Sequence, residues 1–435
     1  MRFRTAREAE DYLLSFVNYE ARTRYRRTAR THDLVRFAGR LAAMGWDPGA
    51  VPTVHIGGTN GKGTVAHLIE RIQRAAGERT GLYTSPHLHR MRERVRVEGR
   101  PIPAPDFARA VSAIAGRFEE ARGEGFRTTF EHLTALAFLY FQERQVDRAV
   151  VEVGLGRRLD ATNVIPPGPA LLTPISLDHG AVLGRRVAAI AEDKAWILKR
   201  GGRAFLMPQS SAALAPIRRR LAREGLVPVH VREVVEVEIS GLGPSGASFR
   251  IRGREDYGVI STGLLGAHQT DNIAAAVAMA ESLLSRRACL QAVPAGLRDA
   301  VIPGRLEPLR FQGRAILLDG GHNPAAARAV ARTIRLHYPQ ARVVALVGMA
   351  RDKEHRAFLS ALAPVVDTFV FTRSDGPRAA PPRLLADRAE RSGPCVEGVS
   401  AGLDRALALQ ADLLLVTGSF LVVAEARKAL GRGAA

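Results

Sequence analysis

The chain has 435 residues, 46% of them hydrophobic, a formal net charge of +20 at pH 7 and two cysteines. That length suits two or three domains. The opening Met1-Arg2-Phe3-Arg4 has no apolar core behind its charges, the apolar runs are too short for a bilayer span, and Cys289 and Cys395 alone build neither a disulfide framework nor a zinc site.

These features lead us to expect a cytoplasmic protein with no membrane partner. The arginines are spread from Arg2 to Arg432 with no aromatic-interleaved basic stripe. The charge therefore reads as a solvated surface rather than a specific nucleic-acid site. The same bias makes lysine informative. Only Lys62, Lys194, Lys199, Lys353 and Lys428 occur, and a lysine kept in such a chain marks a place where a compact ammonium or a deprotonatable amine is needed.

Taken in order, apolar periodicity predicts helices over 8–18 and 32–44 and a buried strand over 51–56. A glycine-rich break follows, then a helix over 64–76 and a strand over 80–85. Helices are expected over 106–120 and 130–143, strands over 149–153 and 170–176, a helix over 187–199 and a strand over 203–207. Alternation with Gly and Ser breaks between 229 and 260 predicts antiparallel strands, and 271–284 a helix, with a shorter one before Gly296. Val301-Ile302-Pro303-Gly304 reads as a linker. Strands over 315–318, 342–347, 368–372 and 412–416 then alternate with helices over 324–337, 355–362, 382–391, 401–409 and 421–430. Such alternation implies mostly parallel sheets covered on both faces, an α/β fold.

Gly57-Gly58-Thr59-Asn60-Gly61-Lys62-Gly63-Thr64 lies between strand and helix. Glycines let backbone N–H groups curl around phosphate, the helix N-terminus adds partial positive charge, Lys62 can reach the outer phosphates, and Thr64 can ligate Mg²⁺. The spacing departs from the general phosphate-loop pattern, because Gly63 separates Lys62 from Thr64. Glu152 ends an apolar strand and is followed by Gly154 and Gly156. It reads as a Mg²⁺ ligand or as an ion-paired edge glutamate. Leu177-Asp178-His179 closes another strand, Asp319-Gly320-Gly321-His322-Asn323-Pro324 a further one, and Thr417-Gly418-Ser419 opens a helix. Taken singly, each of these is as well explained by a turn as by a site.

Together these segments resemble the folylpolyglutamate synthase/dihydrofolate synthase family, a branch of the Mur ligase superfamily. The resemblance also draws on Tyr83-Thr84-Ser85-Pro86-His87-Leu88, Glu93-Arg94-Val95, Phe130-Glu131-His132-Leu133-Thr134-Ala135, Leu159-Asp160-Ala161-Thr162-Asn163, Gly304-Arg305-Leu306-Glu307 and Asp352-Lys353. It implies an ATP-binding Mur ligase domain with a phosphate loop over 1–302 and a smaller Rossmann-like domain over 303–435. It implies ATP, L-glutamate and a pterin- or folate-type carboxylate as small-molecule partners, Mg²⁺ as cofactor, and a monomer. ATP would be held by Thr59, Asn60, Gly61, Lys62, Gly63, Thr64, Asn272, Arg305 and Asp319. Ser85, Glu152 and His179 would hold the metal, and His322 and Ser419 would lie near glutamate. Lys62, Lys194 and His322 would be catalytic, with Lys194 carbamoylated by CO₂, which arginine could not be.

The chain departs from the family pattern at Arg157, Gly180, Trp196 and Gly321, and this bears on the acceptor pocket. The arginine-rich segment 18–32 lies where the pterin side of the substrate is expected. Alternatives are a Mur-type ligase for another acidic acceptor and a basic nucleic-acid-binding protein with a phosphate loop, the latter marked by a steep salt dependence of binding.

Overall fold

The computed structural model describes residues 1–18, 33–120, 126–156, 158–177 and 186–431. Its strands form three sheets. The first has eight strands in the spatial order Arg100–Pro101, Val95–Val97, Thr80–Tyr83, Arg148–Glu152, Thr53–Gly57, Pro169–Leu172, Arg203–Leu206, Pro228–His230. From Thr80–Tyr83 to Pro228–His230 the strands run parallel, and the two at the other edge are antiparallel.

The central strands are apolar on both faces because both faces are covered. Val150 joins one core with the helices Lys62–Ala75, Gln269–Leu283 and Arg286–Leu297, while its neighbour Val151 joins another with Ala6–Leu14, Leu34–Ala43, Ala104–Glu120 and Thr129–Glu143. This is the two-residue alternation of a strand. The helices start where the sequence supplies caps. Thr128 and Glu131 form a reciprocal capping box, and the side chains of Asp33 and Ser285 accept from first-turn N–H groups.

Glu236–Gly243, Gly246–Arg252 and Asp256–Thr262 form an antiparallel three-stranded sheet, as the alternation there predicts, but the start of that stretch differs, Pro228–His230 joining the first sheet in parallel and Val231–Val234 forming a helical turn. The third sheet runs Glu307–Phe311, Arg314–Asp319, Leu413–Thr417, Val343–Val347, Thr368–Arg373, Cys395–Glu397. Only its first pair is antiparallel. Two leucines from earlier in the chain are built into it, Leu265 in the core on one face and Leu88 in the core on the other.

Several expectations are corrected. The helix over 187–199 ends at Lys194 and passes into a 3₁₀ turn, Ala195–Ile197. The helix over 382–391 closes after Pro382–Ala386. The helix Ser211–Glu224 escapes the sequence reading, although Ala213, Ile217 and Leu221 bury one four-residue-spaced stripe. Pro216 inside it and the run Arg218-Arg219-Arg220 interrupt the apolar pattern and hide the period. The two- and three-residue strands at or next to the sheet edges are too short to carry any period and exist because a neighbour offers a ladder. No described helix is long and apolar enough to cross a membrane.

Candidate active site

The strand Thr53–Gly57 delivers the glycine-rich loop to the C-terminal edge of the first sheet. Gly58 (φ +129°) and Gly61 (φ +88°) adopt backbone angles that favour glycine, and a Cβ on Gly58 would collide with Thr173. The loop is pinned by the next strand. Thr59 N–H and Asn60 N–H donate to Pro174 O at 3.1 and 3.3 Å, and the Thr59 hydroxyl donates to Ser176 O. Lys62 begins the helix Lys62–Ala75, and its ammonium folds back to donate to Thr59 O at 3.0 Å. Thr64 is buried one turn in.

Glu152, 2% exposed, ends the adjacent strand beside this loop. Its Oε1 lies 3.9 Å from the Lys62 ammonium, and its Oε2 accepts the Ser85 N–H at 3.1 Å. Burial pushes the Glu152 carboxyl up, opposed by Lys62 and Arg305. The Cα of Gly63 marks the convergence. A Cβ placed there would touch Glu152 Oε2 at 3.4 Å and the Arg305 guanidinium at 3.6 Å. Any side chain would fill the space in which these charges meet, so glycine at 63 keeps it open. Arg305 comes from the stretch entering the third sheet and packs over Phe420 at 4.3 Å. Asp319 is buried and accepts from Leu306 N–H (3.0 Å) and Gly321 N–H (2.8 Å). Burial raises its pKa while those N–H groups and Arg305 oppose the rise.

The two sheets close on one cleft of about 440 Å³. Asn60 and Asn323 meet across it, the Asn323 amide donating to Asn60 Oδ1 at 3.0 Å, while Asn60 donates to Ser176 Oγ. Asn272 Oδ1 would lie 2.9 Å from a Cβ on Gly61. His322 Nδ1 lies 3.3 Å from Gly320 O, and Ser419 Oγ accepts from Val422 N–H at the start of the helix Phe420–Ala429. Thr59, Asn60, Gly61, Lys62, Thr64, Ser85, Glu152, Asn272, Arg305, Asp319, His322 and Ser419 all line the cleft.

Lys194 is 4% exposed, and its amine donates to Leu155 O at 2.9 Å, three residues beyond Glu152. The Trp196 ring is engaged by the guanidinium groups of Arg158 (4.5 Å) and Arg220 (4.1 Å). His179 lies outside the described residues, as do Arg157, Gly180 and residues 19–32. Among the described residues no three His, Cys, Asp or Glu side chains form a ready metal cage. Glu152 nevertheless fits a Mg²⁺ ligand, being a buried carboxylate oriented by one N–H at the mouth of a phosphate loop.

Two features of the site were missing from the residues selected by sequence. Asn323 was noted only as part of a motif, although the scarcity of asparagine pointed to it. On the far wall, Lys353 and Arg378 face the cleft, Arg378 gripping Asp352 at 2.6 Å. The rarity of lysine and the Asp352-Lys353 segment of the resemblance were the signals for that wall.

His67, one turn into the phosphate-loop helix, holds Gly63 O with Nδ1 at 2.7 Å. Burial, then Arg96, pushes its pKa down to about 4, and burial does the same for His268 on the cleft wall. Because the folded-state pKa lies below that of the unfolded chain, the unfolded state takes the proton first. Stability is therefore lost as pH falls from about 6.5 toward 4. Thermal melts between pH 7 and 5 should show a falling midpoint, each histidine contributing about 1–2 kcal/mol at pH 5. His67→Gln should flatten that slope.

The Mur ligase middle-domain model matches residues 56–280, and the Mur ligase glutamate-ligase-domain model matches 304–420. The dihydrofolate synthase/folylpolyglutamate synthase of Mycobacterium tuberculosis is 33% identical, over 92% of this chain and 90% of that protein. The structure of M. tuberculosis folylpolyglutamate synthase complexed with ADP superposes with a TM-score of 0.87 at 31% identity, covering 99% of both chains. A bifunctional folylpolyglutamate synthase/dihydrofolate synthase with Mn, AMPPNP and L-glutamate bound gives 0.81 at 27% identity, covering 98% of each. With a phosphate loop, a buried carboxylate and a second domain closing on them, this chain belongs to the folylpolyglutamate synthase/dihydrofolate synthase family of Mur ligases, ATP-dependent enzymes that form carbon–nitrogen bonds.

Proposed function

We propose that this chain joins L-glutamate to a dihydropteroate- or folate-type carboxylate in a cleft between a domain over 1–302 and a domain over 303–435. The observation that carries the reading is the convergence of Lys62, Glu152 and Arg305 around Gly63. Loop N–H groups over 59–64 would cradle the phosphates of ATP, with Asn272, Arg305 and Asp319 completing the nucleotide site. Glu152, Ser85 and His179 would hold Mg²⁺, which when bound would neutralise charge on the phosphate oxygens.

Lys62 and Arg305 would stabilise the γ-phosphoryl group as an acceptor carboxylate oxygen bonds to its phosphorus and the bond to ADP breaks. The product is an acyl phosphate. The amine of glutamate then attacks the acyl carbon, phosphate leaves, and the amine gives up a proton. His322, oriented by its Nδ1 on Gly320 O, would be the base that takes it. Ser419 at its helix N-terminus, with Lys353 and Arg378 opposite, suits the two carboxylates of glutamate. Leu14, Met91, Phe130 and Leu155 give the other arm of the cleft an apolar wall suited to a flat ring system. Closing the third sheet over the first would exclude water from the acyl phosphate. The enzyme would act as a cytoplasmic monomer, a setting consistent with its two free cysteines.

The test is ADP release with ATP, Mg²⁺ and glutamate against dihydropteroate, dihydrofolate and tetrahydrofolate. Acceptor-dependent ADP release with formation of the glutamylated product is expected. No turnover with any of the three would overturn the acceptor assignment in favour of another acid.

A further inference from the structure

The loop over 84–94 is the one that places Ser85 on Glu152, and its other end is embedded in the third sheet. Leu88 is 8% exposed and belongs to the core formed by Ile316, Leu318, Val416 and Val423. Among the described residues it is the sole member of that core from before residue 300. Its Cδ1 lies 3.4 Å from where a Cβ on Gly304 would stand, so it packs against the residue preceding Arg305. The contact is reinforced by charge. Glu307 accepts Gly304 N–H at 2.8 Å and Arg427 Nε at 3.1 Å, and Arg427 reaches His89 Nε2 at 3.4 Å.

What makes the loop stiff is Glu93. Its carboxylate accepts the N–H groups of Leu88 (3.0 Å), His89 (3.1 Å) and Arg90 (2.9 Å). Three consecutive N–H groups on one carboxylate leave the tip little freedom, because each charged hydrogen bond would have to break for it to turn. The base of the loop is tied as well, Thr84 N–H donating to Arg94 O at 3.0 Å and Arg94 Nε to His87 Nδ1 at 2.8 Å, so the path from Leu88 to Ser85 is braced at both ends. The same docking that buries Leu88 also fixes Gly304, whose carbonyl accepts Gly320 N–H at 2.8 Å, and so fixes Arg305 and the Asp319 loop.

We propose that Leu88, held by Glu93, is a positioning element that couples docking of the third-sheet domain to alignment of Ser85 on Glu152 and of Arg305 beside Gly63. Leu88 is not among the residues that line the cleft. It acts by making the two halves of the site correct only when the domains are seated. The inference rests on the ligase reading above.

The coupling predicts a split between parameters. The phosphate loop holds ATP from the first domain, while Arg305 from the second acts on the phosphoryl group as it transfers, so turnover should fall by more than ATP binding weakens. Leu88→Ala and Glu93→Gln should each lower kcat by about tenfold or more, with a smaller rise in KM for ATP from the displaced Arg305 and Asp319. Leu88→Met should return kcat to within about twofold, since it restores an apolar side chain of similar volume. The double variant should be at most about twofold worse than the poorer single one, because both break one coupling. Glu93→Gln leaves the core untouched and decides the matter even if Leu88→Ala does not fold. The proposal is overturned if Glu93→Gln keeps kcat within about twofold of wild type, if the two losses multiply, or if methionine fails to rescue. A wild-type enzyme that ligates none of the folate acceptors would sink the acceptor reading instead. Small-angle scattering with AMPPNP then tests the coupling alone: expansion of Glu93→Gln relative to wild type supports it, and identical profiles overturn it.

Discussion

Glu152→Gln is expected to abolish ligation, lowering kcat by at least about 10³-fold, which corresponds to roughly 4 kcal/mol of transition-state stabilisation. The substitution keeps the shape and lets one oxygen still accept the Ser85 N–H, so folding is retained. It removes the negative charge that sits between Lys62 and Arg305 and that would anchor Mg²⁺. The two cations would then face one another across Gly63 with no counter-charge. Steady-state kinetics with ATP and glutamate, alongside circular dichroism, would check this. Turnover within tenfold of wild type in a folded Glu152→Gln enzyme would remove Glu152 from the metal site.

Lys194 carries the second large effect. Its amine is buried, and its hydrogen bond to Leu155 O ties it to the loop that leaves Glu152. We propose that the Lys194 ammonium loses one proton and that the neutral amine then bonds to the carbon of CO₂ and releases a second, which would turn a cation into an anionic carbamate near Glu152. Lys194→Arg keeps the positive charge and cannot undergo this reaction. Both Lys194→Arg and Lys194→Ala are therefore expected to lose about 100-fold or more in kcat. Formate or acetate should partly restore the alanine variant by supplying the missing carboxylate. Trp196 does not stand in the way in this structure, since its ring is engaged by Arg158 and Arg220. Carbon-13 NMR with labelled bicarbonate at neutral pH reads the carbamate directly. A fully active arginine variant with no carbamate signal would end the assignment.

The chemistry-bearing loops were legible because they obey local rules. A glycine-rich break between strand and helix, a carboxylate closing an apolar strand, and polar residues opening a helix each follow from backbone geometry within a few residues. Continuous apolar runs likewise marked the parallel strands, since burial on both faces enforces them, and helical periodicity marked most helices. Compositional bias helped, because in an arginine-rich chain Lys62 and Lys194 stand out.

What local rules could not supply was distance. Nothing in the sequence says that Ser85 meets Glu152, 67 positions on, or that Asn60 meets Asn323, 263 positions on, because these pairs are joined only by strand order and domain docking. The sequence by itself determined the phosphate loop, the α/β alternation and the family resemblance, since these depend on hydrogen bonding and burial over short stretches. The tertiary structure alone decided that Gly63 is the point where Lys62, Glu152 and Arg305 converge. It also decided that Leu88, which reads as one more apolar residue after a turn, is buried in the other domain's core. Its partners come from strands more than 200 residues away, and contact across such a separation is fixed by packing of whole sheets rather than by any local preference.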